Sequence, residues 1–427
     1  MTAPREVARR PAPFWLPVAF FCAVACGAIA ALASAEETMR GRVLDAETRQ
    51  PIAGAVVTTD GRTVETDVDG GFEVPVGTPE VLVRAVGHRR TSADARGTPL
   101  DVALEGFHAK ALYLSFYGIG STVLRDRALA LLDRTDLNAL VIDVKGDVGK
   151  IPYPTTVPLA IAVGAQRPFT IPDPAALIGQ LRARGIYLIA RIVVFKDSPL
   201  ATARPDLAVR RADGALFRDR EHLAWTDPFR AEVRDYNVDV AVEAARLGFD
   251  EIQFDYVRFP DAVGLRFAAP STQASRVAAI GDLMREARRR LAPYNVFLSA
   301  DVFGYVCWNP DDTLIGQRLE DLAPLVDYLS PMLYPSAFQF GIPGHRDPVA
   351  HPSEIVRKSL DEAQRRTGLP GVRFRPWLQA FKDYAFDRRV FGADEIQRQI
   401  QGAERAGSGG WMLWNPRNDY AATGLAE

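Results

Sequence analysis

Two aspartates, Asp255 and Asp301, each stand near the end of a short alternating stretch of the 427-residue sequence. The stretches read GFDEIQFDYVRFP over residues 248–260 and LSADVF over residues 298–303. Carboxyl groups held close together can divide the work of breaking a bond. The ionised member serves as nucleophile or base, and the protonated member as acid. That division needs backbone elements that bring the two acids side by side. In the first stretch Ile252, Phe254 and Tyr256 alternate with Gln253, Asp255 and Val257, which predicts a strand with two unlike faces. Gly248 ends the helical run before it, residues 230–247, and Pro260 stops the strand. Helix, tight turn and acid-tipped strand make one βα repeat.

Seven further β-rich segments recur after residue 110. With the first they cover 111–117, 139–145, 187–196, 251–259, 296–303, 326–334, 374–381 and 410–415. Helical spacing and charge mark 125–132, 175–184, 275–291, 354–367 and 393–406 between them. Eight βα units predict an α/β fold, a (β/α)8 TIM barrel over 110–427, with its site at the strand C-termini. Gly118-Ile119-Gly120 is too short to be the phosphate turn of a doubly wound sheet.

Side chains alternate along a strand, so each strand can be tested for a polar phase. In the second, Val141, Asp143 and Lys145 oppose Leu140, Ile142 and Val144. In the third, Arg191 opposes Ile192 and Val194; in the fourth, Gln253 and Asp255 oppose Ile252 and Phe254. Ser299 and Asp301 share a face in the fifth, Ser330, Met332 and Tyr334 in the sixth, Trp377 and Gln379 in the seventh. The apolar phases suit a surrounding ring of helices. The polar phases then point inward, which is the pattern of a site rather than of scattered surface acids.

Upstream the pattern changes twice. Residues 1–35 carry Arg5, Arg9 and Arg10 before an uncharged run that ends in Ala33-Ser34-Ala35, a basic, apolar and small-residue order that predicts export. The run is long enough to remain as a membrane anchor or to be removed as a signal peptide, and both readings stay open. Residues 39–106 hold short alternating segments broken by Asp60-Gly61 and Asp69-Gly70-Gly71, which predicts a small antiparallel β-sandwich. Its order, GRVLDAETRQPIAGAVVTT…TDVDGGFEVPV…VRAVGHR, resembles the carboxypeptidase regulatory-like sandwich, which implies an accessory module without catalysis. Residues 110–427 are expected to fold without it.

Composition narrows the function further. A formal net charge of −2 with scattered Lys and Arg gives no footprint for nucleic acid. Only Cys307 lies outside the N-terminal apolar run, which excludes an intrachain disulfide framework and a cysteine-rich zinc site. No HxH or HExxH pair occurs among the five histidines, and no metal ligands are assigned.

The segments NALVIDVKGDVGKIPY, LIARIVVFKD, HLAWTDPFR, GFDEIQFDYVRFP, LSADVFGY and LSPMLYPS together resemble the putative glycosyl hydrolase family long filed as a domain of unknown function. The resemblance covers about 110–427, and its fourth-strand motif is the most specific part. It implies a glycosidase acting on a glycan, with no cofactor. A distant likeness to α-amylases lies in Asp255 ending strand four and an acid, here Asp301, ending strand five. A likeness to family 18 chitinases lies in Met332-x-Tyr334 and in the Gly-Gly-Trp…Trp run of 409–414. Val257 stands where those chitinases carry their catalytic glutamate, which counts against a substrate-assisted mechanism.

On this reading Asp255 is the nucleophile and Asp301 the acid/base. Neighbouring strands lie ~4.8 Å apart, so the two acids are expected ~5–6 Å apart, as in retaining enzymes. Arg191 would keep Asp255 ionised, while Phe303 and Trp308 would keep Asp301 protonated by desolvation. Asp143 is the reserve carboxylate. The substrate-binding candidates are Asp143, Lys145, Arg191, Arg258, Tyr334, Trp377, Gln379, Trp414 and Asn415. Tyr334, Gln379 and Asn415 would hold hydroxyls. Trp377, Trp411 and Trp414 either fill the barrel or stack on sugar rings. Lys145 and Arg191 either meet substrate or only neutralise buried acids. His345 and His351 fall in a long loop after strand six. Two rival functions stand beside the glycosidase: a barrel that binds glycan without cutting it, as an envelope structural protein, and a metal-dependent hydrolase built on Asp143, Asp255 and Asp301.

Overall fold

The computed structural model describes residues 37–60, 62–96, 100–421 and 423–425. The expected signal peptide or anchor lies outside the described residues, and among these no helix is long and apolar enough to cross a membrane.

Eight parallel strands close into a barrel in chain order: Ala109–Leu114, Ala139–Lys145, Tyr187–Val193, Glu251–Asp255, Phe297–Phe303, Tyr328–Met332, Trp377–Gln379 and Gly410–Trp414. The eighth pairs with the first, which removes every sheet edge. The expected alternation sorts the side chains. Leu140, Ile142, Leu188, Ile252, Phe254 and Leu298 face outward into one continuous core with the helices. Ala111, Tyr113, Val141, Tyr187, Ile189 and Phe297 face inward and fill the barrel with Tyr328, Trp377 and Met412.

The long helices of the outer layer are Thr122–Leu132, Pro174–Ala183, Ala231–Leu247, Gln273–Leu291, Pro352–Thr367 and Ala393–Arg405. Helix Ala231–Leu247 ends at Gly248, whose φ of 103° a side chain would strain and whose Cβ would meet Arg182. Strand five is followed by no long helix but by the short helical pieces Gly304–Cys307, Leu319–Leu322 and Ala323–Leu325. Six of the eight strands stop earlier than expected, the fourth by the most. The fourth ends at Asp255 because Tyr256 turns to φ 46°, a left-handed backbone that breaks the ladder. The seventh is reduced to three residues, where Pro376 has no N–H to give.

The N-terminal domain is a sandwich of seven strands in sheets of three and four. Its core holds Val43, Val57, Phe72, Val74, Val81 and Val102. It is not wholly antiparallel. Strand Thr38–Asp45 pairs in parallel with Leu100–Leu104, a segment the sequence reading passed over.

The sandwich caps the N-terminal face of the barrel, away from the strand ends that carry the acids. Arg84 pairs with Asp327 at 2.9 Å, both nearly buried, and Arg90 pairs with Asp250 at 2.9 Å. Gly87 donates its N–H to the Tyr328 hydroxyl at 3.0 Å, and Phe107 packs on Tyr187 with ring centroids 4.8 Å apart. Asn295 donates to the sandwich through Val56 O and Leu82 O. Just inside this floor Glu251 and Arg375 form a fully buried pair that also takes the Tyr187 hydroxyl.

Removing residues 1–106 therefore strips two acids of their cations and uncovers aromatic rings. Breaking a buried pair costs about 3–5 kcal/mol. Residues 110–427 alone are expected to unfold cooperatively but several degrees below residues 37–427, as calorimetry would show. Equal midpoints would make the cap energetically idle.

Candidate active site

Strands two, three and four bring three carboxylates onto one guanidinium. Arg191, fully buried, donates from Nη1 to Asp143 Oδ1 at 2.7 Å and from Nη2 to Asp147 Oδ1 at 2.8 Å. Its Nε and Nη2 both reach Asp255 Oδ2, at 2.9 and 2.5 Å. The guanidinium also lies 4.8 Å from the centroid of Trp414, which stacks on Tyr113 at 4.0 Å. A planar fork held by ring faces and three acids has one orientation. Arg191 is a fixed charge.

Asp143 accepts in addition from the Tyr113 hydroxyl at 2.8 Å and the Phe116 N–H at 3.1 Å. Burial pushes its carboxyl up to about 6, against the pull of Arg191 and with the help of the Asp147 charge. Asp255 completes its shell with the N–H of Tyr256 at 2.5 Å from Oδ1.

Asp301 differs from all of these. Strand five pairs Gln253 with Ser299 and Phe254 with Ala300, which sets Asp301 beside Asp255 on the same inward phase. Its Oδ1 accepts from Trp377 Nε1 at 2.8 Å, and its buried Oδ2 has no hydrogen-bond partner among the described residues. No cation pairs with it. Burial and then the neighbouring Asp255 charge push its carboxyl well above the usual range, outweighing Arg191 and the Trp377 N–H. The protonated form is favoured. The rings responsible are not those expected. Phe303 is 38 % exposed, and Trp308 turns its N–H to Ser359 on helix Pro352–Thr367. Trp377 touches the carboxyl instead, through an N–H that favours the ionised form, so the upward push comes from burial and the Asp255 charge. Tyr334 lies in the field of both acids, and its phenol is raised by burial and by their charges.

Four other candidates leave the site. Lys145 points outward, to Asp197 Oδ2 at 2.6 Å and Asn237 Oδ1 at 2.9 Å, because a bulge opposite Arg191 and Ile192 reverses the phase of strand two after Asp143. It is a structural ion-pair member. Gln379 spends its amide on Ser336, accepting its N–H at 3.0 Å and donating to its Oγ at 2.7 Å. Asn415 donates to the carbonyls of Ala380 and Asp419 and accepts from Arg417 N–H, so it fixes a loop. Trp411 is buried in the outer core.

Trp377 is buried too, and meets the site through its N–H edge rather than its face. Trp414 is half-buried against Tyr113 and Arg191. His345 and His351 contact each other at 4.9 Å within their loop. Arg258 joins a separate cleft with Tyr256, Trp225 and Lys196.

The sequence reading missed Tyr113 and Asp147. Tyr113 shares the inward phase of strand one with Ala111, a test that applies to that strand as to the others. Asp147 sits in the loop after strand two, where no periodicity marks it. The three acids around Arg191 have their positive charge in its guanidinium. Among the described residues no group of His, Cys, Asp or Glu has the geometry to hold a metal ion.

The family model described as a putative glycosyl hydrolase domain matches residues 111–420. The chain belongs to this family. The match begins inside the first barrel strand and ends past the eighth, so all of the barrel strands but Ala109 and Lys110, and every residue of the acid cluster, fall within it. Among solved structures the chain is similar to the glycoside hydrolase domain of PgaB (BpsB) from Bordetella bronchiseptica. That likeness has a TM-score of 0.54 at 14% identity, over 73% of this chain and 95% of that one. It supports the barrel fold.

A hypothetical protein from Ruminiclostridium thermocellum ATCC 27405 is 34% identical over 45% of this chain and 97% of its own, with a TM-score of 0.40. A chitinase from Chromobacterium violaceum ATCC 12472 is 15% identical over 74% and 98%, with a TM-score of 0.44. No curated protein matches the chain.

Proposed function

We propose that this member of the glycosyl hydrolase family is a retaining glycosidase acting on an exported or cell-envelope polysaccharide. The supporting observation is the contrast between two neighbouring carboxyl groups: Asp255 is paired with Arg191, while Asp301 has one buried oxygen unpartnered among the described residues and a pKa pushed upward by burial. Strands ~4.8 Å apart suit the ~5–5.5 Å separation of a retaining pair.

In the first step Asp301 gives its proton to the glycosidic oxygen as an Asp255 oxygen bonds to the anomeric carbon. The carbon–oxygen bond to the leaving sugar breaks, and an ester to Asp255 remains. In the second, the Asp301 carboxylate takes a proton from water while that water attacks the same carbon and frees Asp255. Asp255 Oδ2 already accepts twice, from Arg191 Nε and Nη2, whereas Oδ1 accepts once, from the Tyr256 N–H, and keeps a lone pair for attack. Arg191 holds the carboxylate in place, and the Tyr334 phenol lies in the field of both acids.

Exposed rings on the loops after strands six and seven, Phe340 and Tyr384, offer faces for sugar stacking. A barrel that only bound glycan would have both acids tied to cations, and Asp301 is not. Release of reducing ends from a polysaccharide panel tests the reading, and absence of any cleavage across the panel would count against it. Export rests on the basic and apolar N-terminus. Protease added outside cells with a permeabilised outer layer should degrade the barrel, and complete protection would contradict the assignment.

A further inference from the structure

Beside strand four the loops enclose a cleft of about 950 Å³ that the two-acid chemistry leaves unused. Lys196, Trp225, Tyr256 and Arg258 line its inner wall. Arg258 follows Asp255 by three residues, so their Cα atoms are at most ~11 Å apart. That is about the reach of the sugar next to the one being cleaved. The guanidinium of Arg258 lies 5.0 Å from the centroid of Trp225 and 5.3 Å from that of Tyr256, and those rings meet edge to face at 5.7 Å. Tyr256 holds its place through the left-handed backbone noted above, a strained turn directly after the nucleophile.

The charges in this wall are not equally committed. Lys196 is paired with Glu221 at 2.5 Å and lies 3.7 Å from Asp219. Asp219 further accepts from Trp225 Nε1 at 2.9 Å. Asp213 accepts the Ala215 N–H, and Asp261 lies in an exposed turn. Of the two inner-wall cations, Arg258 is the one with no carboxylate partner among the described residues. Its Nη1 donates to the Phe259 carbonyl at 3.0 Å, which leaves its Nε and Nη2 edge uncommitted.

We propose that this cleft is a subsite for a carboxylate-bearing sugar, and that Arg258 is the specificity-determining residue that reads the carboxylate. The proposal rests on the glycosidase reading and names the class of its substrate. A guanidinium held by ring faces presents a preorganised fork to two carboxylate oxygens. A phosphate dianion would call for a second uncommitted cation beside Arg258; Lys196 is already engaged, and Arg211, Arg218 and Arg220, which also line the cleft, are exposed side chains.

The test is titration calorimetry on the whole chain carrying Asp301→Asn, so that nothing is turned over. The probes are polygalacturonate, polyglucuronate and alginate, each against its carboxyl-reduced neutral counterpart at equal ionic strength. At least one acidic polymer is expected to bind about tenfold or more tightly than its reduced form, as a charge-assisted bidentate contact requires. Adding Arg258→Gln should bring that ratio to near one, and Arg258→Lys, which keeps the charge without the fork, should leave it in between. A ratio near one for all three pairs in the Arg258 protein overturns the proposal. So does a preference that persists in a folded Arg258→Gln protein. Inorganic phosphate should compete no better than chloride, and displacement by dilute phosphate would overturn the choice of carboxylate. Glycan cleavage without acid preference would sink this subsite and leave the glycosidase. An Arg258-dependent preference without cleavage of any glycan would do the reverse.

Discussion

Asp301→Asn is expected to lower kcat/KM by about two to four powers of ten on an unactivated glycan and, at neutral pH, to raise the melting temperature. The loss follows from removing the acid assigned to protonate the leaving oxygen. It should shrink on substrates whose leaving group needs little protonation. The stabilisation follows from burial. Asn keeps an oxygen for the Trp377 N–H and has no charge to desolvate. The sign is fixed by linkage. The folded-state carboxyl titrates well above its unfolded value of ~4, so its contribution is fully present below that pH. It is lost as pH climbs toward the folded value, by up to ~1.4 kcal/mol per unit. The variant's advantage should therefore be absent at pH 3 and grow through the acidic range toward neutrality. Activity of the unaltered chain should fall as pH rises through the same folded value. Equal melting temperatures for the two proteins at pH 4 and 7 would mean that Asp301 is not held neutral.

Asp255→Asn should be at least as severe for activity and opposite for stability. Loss of a nucleophile removes several powers of ten in rate, whatever the leaving group. The same change takes one of three carboxylates from the buried Arg191, whose Nε and Nη2 both rest on Asp255 Oδ2. Asp143 and Asp147 remain, so the stability loss should be about 1–3 kcal/mol rather than that of an orphaned charge. Paired melts of the two variants at pH 7 separate the roles: Asp301→Asn up, Asp255→Asn down. A fall for both would make Asp301 a structural residue. Near-normal turnover in Asp255→Asn would pass the nucleophile's role to Asp143.

How much of this could be read before the fold was seen depended on periodicity. Alternation located all eight strands and put Asp143, Arg191, Asp255 and Asp301 on inward phases, because a parallel barrel enforces one phase per strand. It failed where the backbone leaves the period. One bulged residue in strand two turned Lys145 to the helix side, and no propensity marks a bulge. Asp147 and the cleft around Arg258 lie on loops, where position is set by tertiary contacts. Gln379 and Asn415 occupy the expected strand ends, yet their amides are satisfied by backbone and by Ser336. Strand phase reports direction. It does not report which partners a side chain has already found. The acidic pair was legible by direction alone because Arg191 shares the phase of both, and the unpartnered oxygen of Asp301 became evident only once partners among the described residues could be counted.

The most direct test of the two-carboxylate account is to trap the ester. Once a glycan is found to be cut, a 2-deoxy-2-fluoro glycosyl fluoride of the cleaved sugar should inactivate the chain with time. The fluorine slows both steps, and the good leaving group restores the first, so the glycosyl-enzyme should accumulate. Mass mapping of the digested protein is predicted to place one glycosyl label on Asp255. A label on another carboxylate, or turnover of the unmodified glycan with inverted anomeric configuration and no label, would contradict the mechanism.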